Sequence, residues 1–197
     1  MEELKKLADE VLVKLYAEGN NVAFDVLLLR HQSRVYSYIY FAVKNRDVAD
    51  DIFQETFVKA IVTIQQQRYV ETGRFLAWLI RIAHNLVIDF FRQERNENTV
   101  SNDGGEVDLL NDSRLTDGNI EMQMVQEQAL DDVRTLMEHL PDNQREVVYM
   151  RFYQELSFKE IAEITGVSIN TALGRMRYAL LNLRRMAGRH NLSLTAY

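Results

Sequence analysis

The sequence predicts an all-α protein: two small helical domains joined by a flexible acidic linker, the C-terminal one a helix-turn-helix. Three observations lead there. Only one proline stands among 197 residues, and proline breaks helices. Apolar residues recur at helical spacing over most of the chain. Between Asn96 and about Ile120 that periodicity stops, and the composition turns polar and acidic. The domains are therefore expected at residues 1–95 and 125–190, with the linker at 96–124.

Residues 2–18 place Leu4, Leu7, Val11 and Leu15 on one apolar stripe. The stretch AEGNN then marks a turn. A second helix is expected from about Ala23 to Lys44, rich in aromatics: Phe24, Tyr36, Tyr38, Tyr40 and Phe41. A third begins after Asn45-Arg46 with Asp47 as its expected N-cap, and buries Val48, Ile52, Phe53, Phe57, Ala60 and Ile61. QQQRYVETG interrupts the pattern, and a fourth helix runs from about Gly73 to Arg95 with Phe75, Leu79, Ile82, Leu86 and Phe90 inward. The following stretch, NENTVSNDGGEVDLLNDSRLTDGN, carries three of the eight glycines and too little apolar surface to offset the entropy of ordering. Helical periodicity resumes near Glu121 and continues to Leu140, where Pro141 suits the first position of the next helix.

Composition narrows the function classes. At 47% hydrophobic the chain is too apolar for wholesale disorder, yet no apolar run is long enough to span a bilayer. MEELKKLADE lacks the basic-then-apolar order of a secretory signal. The absence of cysteine excludes disulfides, a thiol nucleophile and cysteine-ligated metal, and fits a reducing cytoplasm. No GxGxxG, P-loop, GxSxG or HExxH motif occurs. His31, His84, His139 and His190 have no ligand spacing. Neither an enzyme nor a resident cofactor, metal or small-molecule substrate is expected.

The formal charge of -6 argues against a nucleic-acid partner until its layout is examined. Residues 96–130 hold eight acids (Glu97, Asp103, Glu106, Asp108, Asp112, Asp117, Glu121 and Glu127) against Arg114 alone. Beyond Glu163 there is no acid, only Arg175, Arg177, Arg184, Arg185 and Arg189. A cationic end beside an acidic middle is the asymmetry that favours nucleic acid.

That cationic end contains the clearest motif. Ser157-Phe158-Lys159-Glu160 is a capping box, in which each side chain satisfies an orphan backbone donor. Ile161, Ala162 and Ile164 form the buried face of a short helix, and Gly166 permits a left-handed turn closed by Val167. Ser168 caps a second helix whose apolar stripe is Ala172, Met176, Ala179, Leu180 and Leu183, leaving Asn170, Thr171, Gly174, Arg175 and Tyr178 opposite. This is the order of a helix-turn-helix. Glycine within a helix costs about 1 kcal/mol relative to alanine, tolerable at Gly174 where DNA must approach the backbone closely. The alternative is a helical hairpin with a solvated basic face, which leaves five arginines without acids unexplained. Phosphates neutralised by those arginines imply steeply salt-dependent binding.

LPDNQREVVYMRFYQELSFKEIAEITGVSINTALGRMRYALLNLRR resembles the promoter-reading domain of bacterial sigma factors, and more narrowly that of the extracytoplasmic-function (ECF) group. Leu140-Pro141, Gln144-Arg145-Glu146, Ser157, Glu160-Ile161-Ala162, Gly166-Val167-Ser168, Thr171, Arg175 and Arg177-Tyr178-Ala179 carry the resemblance. Leu173 departs from it, standing where the family often has a basic residue, so the contact of that residue is expected to be missing.

The N-terminal half is similar to the same family. Asp47 to Phe57 (DVADDIFQETF) resembles the segment that grips core RNA polymerase. The resemblance implies that Asp51, Gln54 and Phe57 face the polymerase, with Asp50 and Glu55 beside them. Asp50, Asp51 and Gln54 share a side of the helix, where a basic partner can engage them together. The alternative is favourable Asp placement near a helix start, worth tenths of a kcal/mol. GRFLAWLIRIAHNLVIDFFRQER resembles the segment that engages and melts the minus-ten promoter element. Arg74, Arg81, His84, Asn85 and Arg92 lie largely off its core stripe and suit phosphate and base-edge contacts. Trp78 also matches, although at helical spacing it reads first as core. By resemblance alone, the loop Gln65–Glu71 cups a flipped base, with Tyr69 stacking and Arg68 holding phosphate.

The resemblance therefore implies an alternative sigma factor that directs promoter-specific initiation without nucleotide hydrolysis. Its partners would be core RNA polymerase, promoter DNA and a membrane-linked anti-sigma factor. The rival is a two-domain helix-turn-helix regulator that does not bind core polymerase, which would not need the DDxxQExF or WLxRIxxN segments. The acidic linker reads either as a solubilising tether or as a strand that repels DNA and mimics nucleic acid.

Overall fold

The computed structural model describes residues 2–70, 73–99 and 135–189, and every regular element among them is helical. The chain divides into two units, Met1–Gly104 and Gly105–Tyr197. The first contains α1 (Asp9–Ala17), α2 (Asn21–Val43), α3 (Arg46–Gln65) and α4 (Phe75–Thr99). The second contains α5 (Asp142–Phe152), α6 (Phe158–Thr165) and α7 (Ile169–Arg189).

In the first unit α2 packs against each of the other three helices. Its fully buried Leu27, Val35, Tyr38 and Ile39 meet Leu12 of α1, Ala60 and Ile64 of α3, and Leu79 and Ile80 of α4 in one core. The single stripe expected over residues 2–18 is broken. Leu4–Lys6 form a 3-10 turn, Leu7 is extended, and α1 starts only at Asp9. A residue far along the chain stabilises the break: the Arg30 guanidinium donates to the carbonyls of Lys5 and Leu7, each at 3.0 Å, that a continuous helix would use for itself.

Arg30 also binds the Asp9 carboxylate, which accepts a second hydrogen bond from His31 Nε2 at 2.8 Å. Burial pushes the Asp9 carboxyl up, but the bonds and charges of His31 and Arg30 outweigh it and hold its pKa below the usual 3.8. A carboxyl depressed on folding contributes stability that is fully present above its unfolded pKa and lost as pH falls through the folded value. Asp9→Asn is therefore expected to cost about 1–2 kcal/mol at neutral pH. In urea titrations the gap from wild type should shrink only below about pH 4; a gap that persists unchanged in acid contradicts the assignment.

Helix α3 begins two residues earlier than expected. Asn45, not Asp47, is its N-cap, accepting from the Val48 N–H at 3.2 Å. Asp47 sits in the first turn, where its charge faces the positive helix end. The chain enters α4 through Gly73, whose φ of +70° favours glycine; a Cβ there would also meet Glu10 Oε1 at 2.8 Å. Helix α4 continues through Asn96 to Thr99, into the span read as linker. The rest of that linker, and the expected helix from Glu121 up to residue 134, lie outside the described residues.

In the second unit α5 and α6 both pack on α7. Pro141 is the N-cap of α5 rather than its first residue. Arg145, only 3% exposed, donates to the Glu138 carbonyl at 3.0 Å and pairs with Asp142. Asn182 of α7 donates to Gln144 of α5 at 2.9 Å. The capping box is complete, with Ser157 N bonded to Glu160 Oε2 at 2.7 Å and Glu160 N to Ser157 Oγ at 3.3 Å. Gly166 turns the chain with φ +67°, and Ser168 Oγ caps α7 by accepting from Thr171 N at 3.0 Å. Ala172, Met176, Ala179 and Leu183 are buried, as the stripe predicts. Leu180 is corrected to a surface residue, 48% exposed.

Candidate functional site

On α3, burial divides the segment read as polymerase-facing. Asp51, Gln54 and Glu55 are exposed and Asp50 is half-buried. The Tyr36 hydroxyl donates to Asp50, and that bond raises the phenol's pKa, with desolvation adding to it. Glu55 shares its charge with Lys59 at 2.9 Å, an exposed pair of small energetic consequence. Phe57 is not on this face. It is 6% exposed, its ring 4.9 Å from Phe53 and 6.4 Å from Phe24, so it belongs to the core. The sequence period had already placed it on the inner stripe, and packing decides for that stripe over the implied contact.

The outward stripe of α3 also includes two residues that belong to no motif. Val58 and Val62 are 56% and 39% exposed, four residues apart and one and two turns beyond Gln54. Their spacing from Asp51 and Gln54 was the available signal. On α2, Tyr36 stacks on Tyr40 at 6.4 Å and meets Phe53 of α3 edge-on at 5.7 Å, on another side of α3 from these valines. The face thus combines carboxylates with exposed apolar surface, a composition that suits a basic protein partner.

On α4, Arg81, Asn85 and Arg92 are exposed and follow one stripe, with Ile88 at 44% among them. Arg92 pairs with Asp89 at 3.2 Å in an exposed contact. Arg74 is half-exposed just before the helix. His84 is corrected: it is 9% exposed, its Nδ1 joined at 2.9 Å to the hydroxyl of Tyr38, itself 1% exposed. A histidine so placed satisfies the core rather than a phosphate. In the preceding loop Arg68 is exposed, but Tyr69 is half-buried, its ring 4.4 Å from Trp78 and 5.9 Å from Phe75. Tyr69 packs onto the helix start instead of offering an open stacking platform, and Glu71 lies outside the described residues.

On α7 the expected face is open. Ser168, Asn170, Thr171 and Arg177 are exposed, Gly174 and Arg175 half-exposed, and Tyr178 is 62% exposed. The first turn carries no acid, so its N–H groups and the arginines present one sign of charge to an anion. Nothing within 4 Å would meet a Cβ at Gly174. Among the described residues no neighbour therefore demands glycine there. Among the described residues no cluster of histidine and carboxylates could hold a metal, and no helix is long and apolar enough to cross a membrane.

Comparison with known proteins agrees with this division. Residues 27–97 match the family described as Sigma-70 region 2, and residues 136–185 match Sigma-70, region 4. The chain is 28% identical over 176 residues to the ECF RNA polymerase sigma-E factor of Haemophilus influenzae, covering 87% of this chain and 91% of that protein. It is 28% identical over 176 residues to the ECF RNA polymerase sigma factor SigW of Bacillus subtilis, covering 88% and 93%. Among solved structures, the fold is similar to that of the sigma factor RpoE in complex with the anti-sigma factor NepR from Bartonella quintana. That match has TM-score 0.65 and 22% identity, over 84% of this chain and 96% of that one. It is also similar to CnrH in complex with the cytosolic domain of CnrY, with TM-score 0.62 and 23% identity over 93% and 99%.

Proposed function

The chain belongs to the ECF group of RNA polymerase sigma factors, and on that premise we propose how its two units share the work of an alternative sigma factor. The first unit docks on core RNA polymerase through Asp51, Gln54 and Glu55 of α3, with Asp50 behind them and Val58 and Val62 extending the contact. Its α4 presents Arg74, Arg81, Asn85 and Arg92, with Arg68 of the preceding loop, to the minus-ten element. The second unit lays α7 in the major groove of the minus-thirty-five element, with Ser168, Asn170, Thr171, Gly174, Arg175, Arg177 and Tyr178 toward the DNA.

One observation carries this reading: the region 2 match holds an exposed acidic stripe and the region 4 match an exposed basic one. Acids invite the protein partner, and arginines invite phosphates. Strand opening then needs no hydrolysis, because binding to the separated strand offsets the lost pairing. Members of the family are initiation factors rather than enzymes. The protein acts in the cytoplasm, and an anti-sigma factor, membrane-linked in our reading, holds it inactive. The complexes solved for its structural relatives with NepR and CnrY support that partner.

The test is run-off transcription with purified core polymerase and a promoter selected by the protein. The reading expects transcripts with one defined start. Tight core binding without initiation on any promoter would overturn it.

Gly174→Ala separates structure from function within α7. Alanine should raise unfolding stability by up to about 1 kcal/mol, since its methyl meets open space. The same methyl stands between backbone and groove, so holoenzyme affinity for the minus-thirty-five element should fall. Equilibrium unfolding and fluorescence anisotropy measure the two effects. Unchanged DNA affinity would remove the close-approach role of this glycine.

A further inference from the structure

We infer that Leu173 is a base-reading residue that contacts the C5-methyl group of a thymine in the minus-thirty-five element. The inference rests on the proposed placement of α7 in the major groove and deepens it. Leu173 is 43% exposed, and the core side of α7 is already supplied by Ala172, Met176, Ala179 and Leu183. It stands three residues after Asn170 and four before Arg177, both exposed. On a helix, residues at that spacing share one strip. An amide and a guanidinium thus bracket a leucine on the edge that meets the bases.

Lone exposed leucines are ordinary on protein surfaces and need no partner. This one differs by its neighbours. A side chain between two base-edge readers enters the groove with them, and a leucine there can neither donate nor accept a hydrogen bond. Set against a phosphate it would desolvate the charge and give nothing back. The one apolar group on the major-groove edge of a base pair is the thymine C5-methyl. Ile169, one turn earlier and 45% exposed, widens the same apolar strip toward the N-terminus of α7. The basic contact missing at this position is therefore replaced by one of a different kind, with a different base preference.

The experiment uses holoenzyme assembled from the full chain and core polymerase. It selects bound duplexes from a pool randomised across the minus-thirty-five window, and the enriched duplexes are resynthesised with deoxyuridine replacing each thymidine in turn. That change removes one methyl and leaves pairing intact. At one position the wild type should lose affinity about fourfold, the size set by one buried methyl. Leu173→Ala should be insensitive at that position, and Leu173→Lys should prefer guanine there. If no thymidine responds, or if Leu173→Ala keeps the response, the Leu173 contact is wrong while the groove placement of α7 stands. If no sequence is enriched at all, the placement of α7 fails and the contact fails with it.

Discussion

Asp51→Arg is expected to lower affinity for core RNA polymerase about a hundredfold while leaving the folded protein intact. The side chain is exposed on α3 and makes no ion pair or hydrogen bond among the described residues. Removing it should therefore change stability by no more than about 0.5 kcal/mol. Its charge matters only toward a partner. Reversal places a cation against the basic surface the carboxylates of α3 are proposed to meet, and like charges so juxtaposed cost several kcal/mol. The dependence on salt should fall in parallel, because a steering contact has been lost. Asp25→Arg is the control, also exposed but on α2. It should bind core polymerase as the wild type does. Surface plasmon resonance against immobilised core enzyme reads both variants, with thermal unfolding as the check on folding. Equal losses for Asp25→Arg and Asp51→Arg would mean that net charge, not this face, governs binding.

Phe57→Ala should behave in the opposite way. The ring is nearly inaccessible and packed between Phe24 and Phe53. Its truncation leaves a cavity that the neighbouring helices can only partly close, at a cost of about 3–5 kcal/mol. That is a large part of the stability of a small domain, and weakened core binding should track the unfolded fraction. Phe57→Leu keeps most of the volume and should cost less than about 1.5 kcal/mol. Under the core assignment it binds polymerase normally at a temperature where it is folded. If Phe57→Leu stays folded yet loses polymerase binding, the ring is part of the interface after all. The two substitutions, six residues apart on one helix, thus distinguish a residue that faces a partner from one that holds the face in place.

The same pair shows what the sequence makes legible. The helix-turn-helix was readable almost residue by residue because its signals are local. The Ser157–Glu160 box, the left-handed Gly166 and the Ser168 cap each act within one helical turn. The inward stripes of α3, α4 and α7 were readable in outline for the same reason, since a period of 3.6 needs no knowledge of the partner helix, although Val48, Phe53 and Ile61 of α3 and Ile82 and Phe90 of α4 are only half-buried. Contacts between distant residues were hidden. Nothing near residue 7 announces that Arg30 will bond its carbonyl and stabilise the break in the first helix. Nothing near His84 announces the buried hydroxyl of Tyr38, 46 residues away in sequence. Family resemblance misplaced the same kind of residue. It named Phe57 and His84 by position in a motif, whereas burial depends on what packs above them. Leu180 shows the limit of the period itself. It lies at the edge of the α7 stripe, where a few tens of degrees separate core from solvent.

The central claim is that the α3 face of the first unit and the α7 face of the second act on different partners. It is tested most directly by crossing two exposed variants, Asp51→Arg and Arg177→Ala, against two readouts. Core-polymerase affinity is measured alone, and protection of the minus-thirty-five element is measured by footprinting at saturating core enzyme. The account predicts that Asp51→Arg loses core affinity yet protects the element once enough core is supplied, and that Arg177→Ala binds core normally but leaves the element unprotected. If either substitution abolishes both, the two faces do not divide the work and the account is wrong.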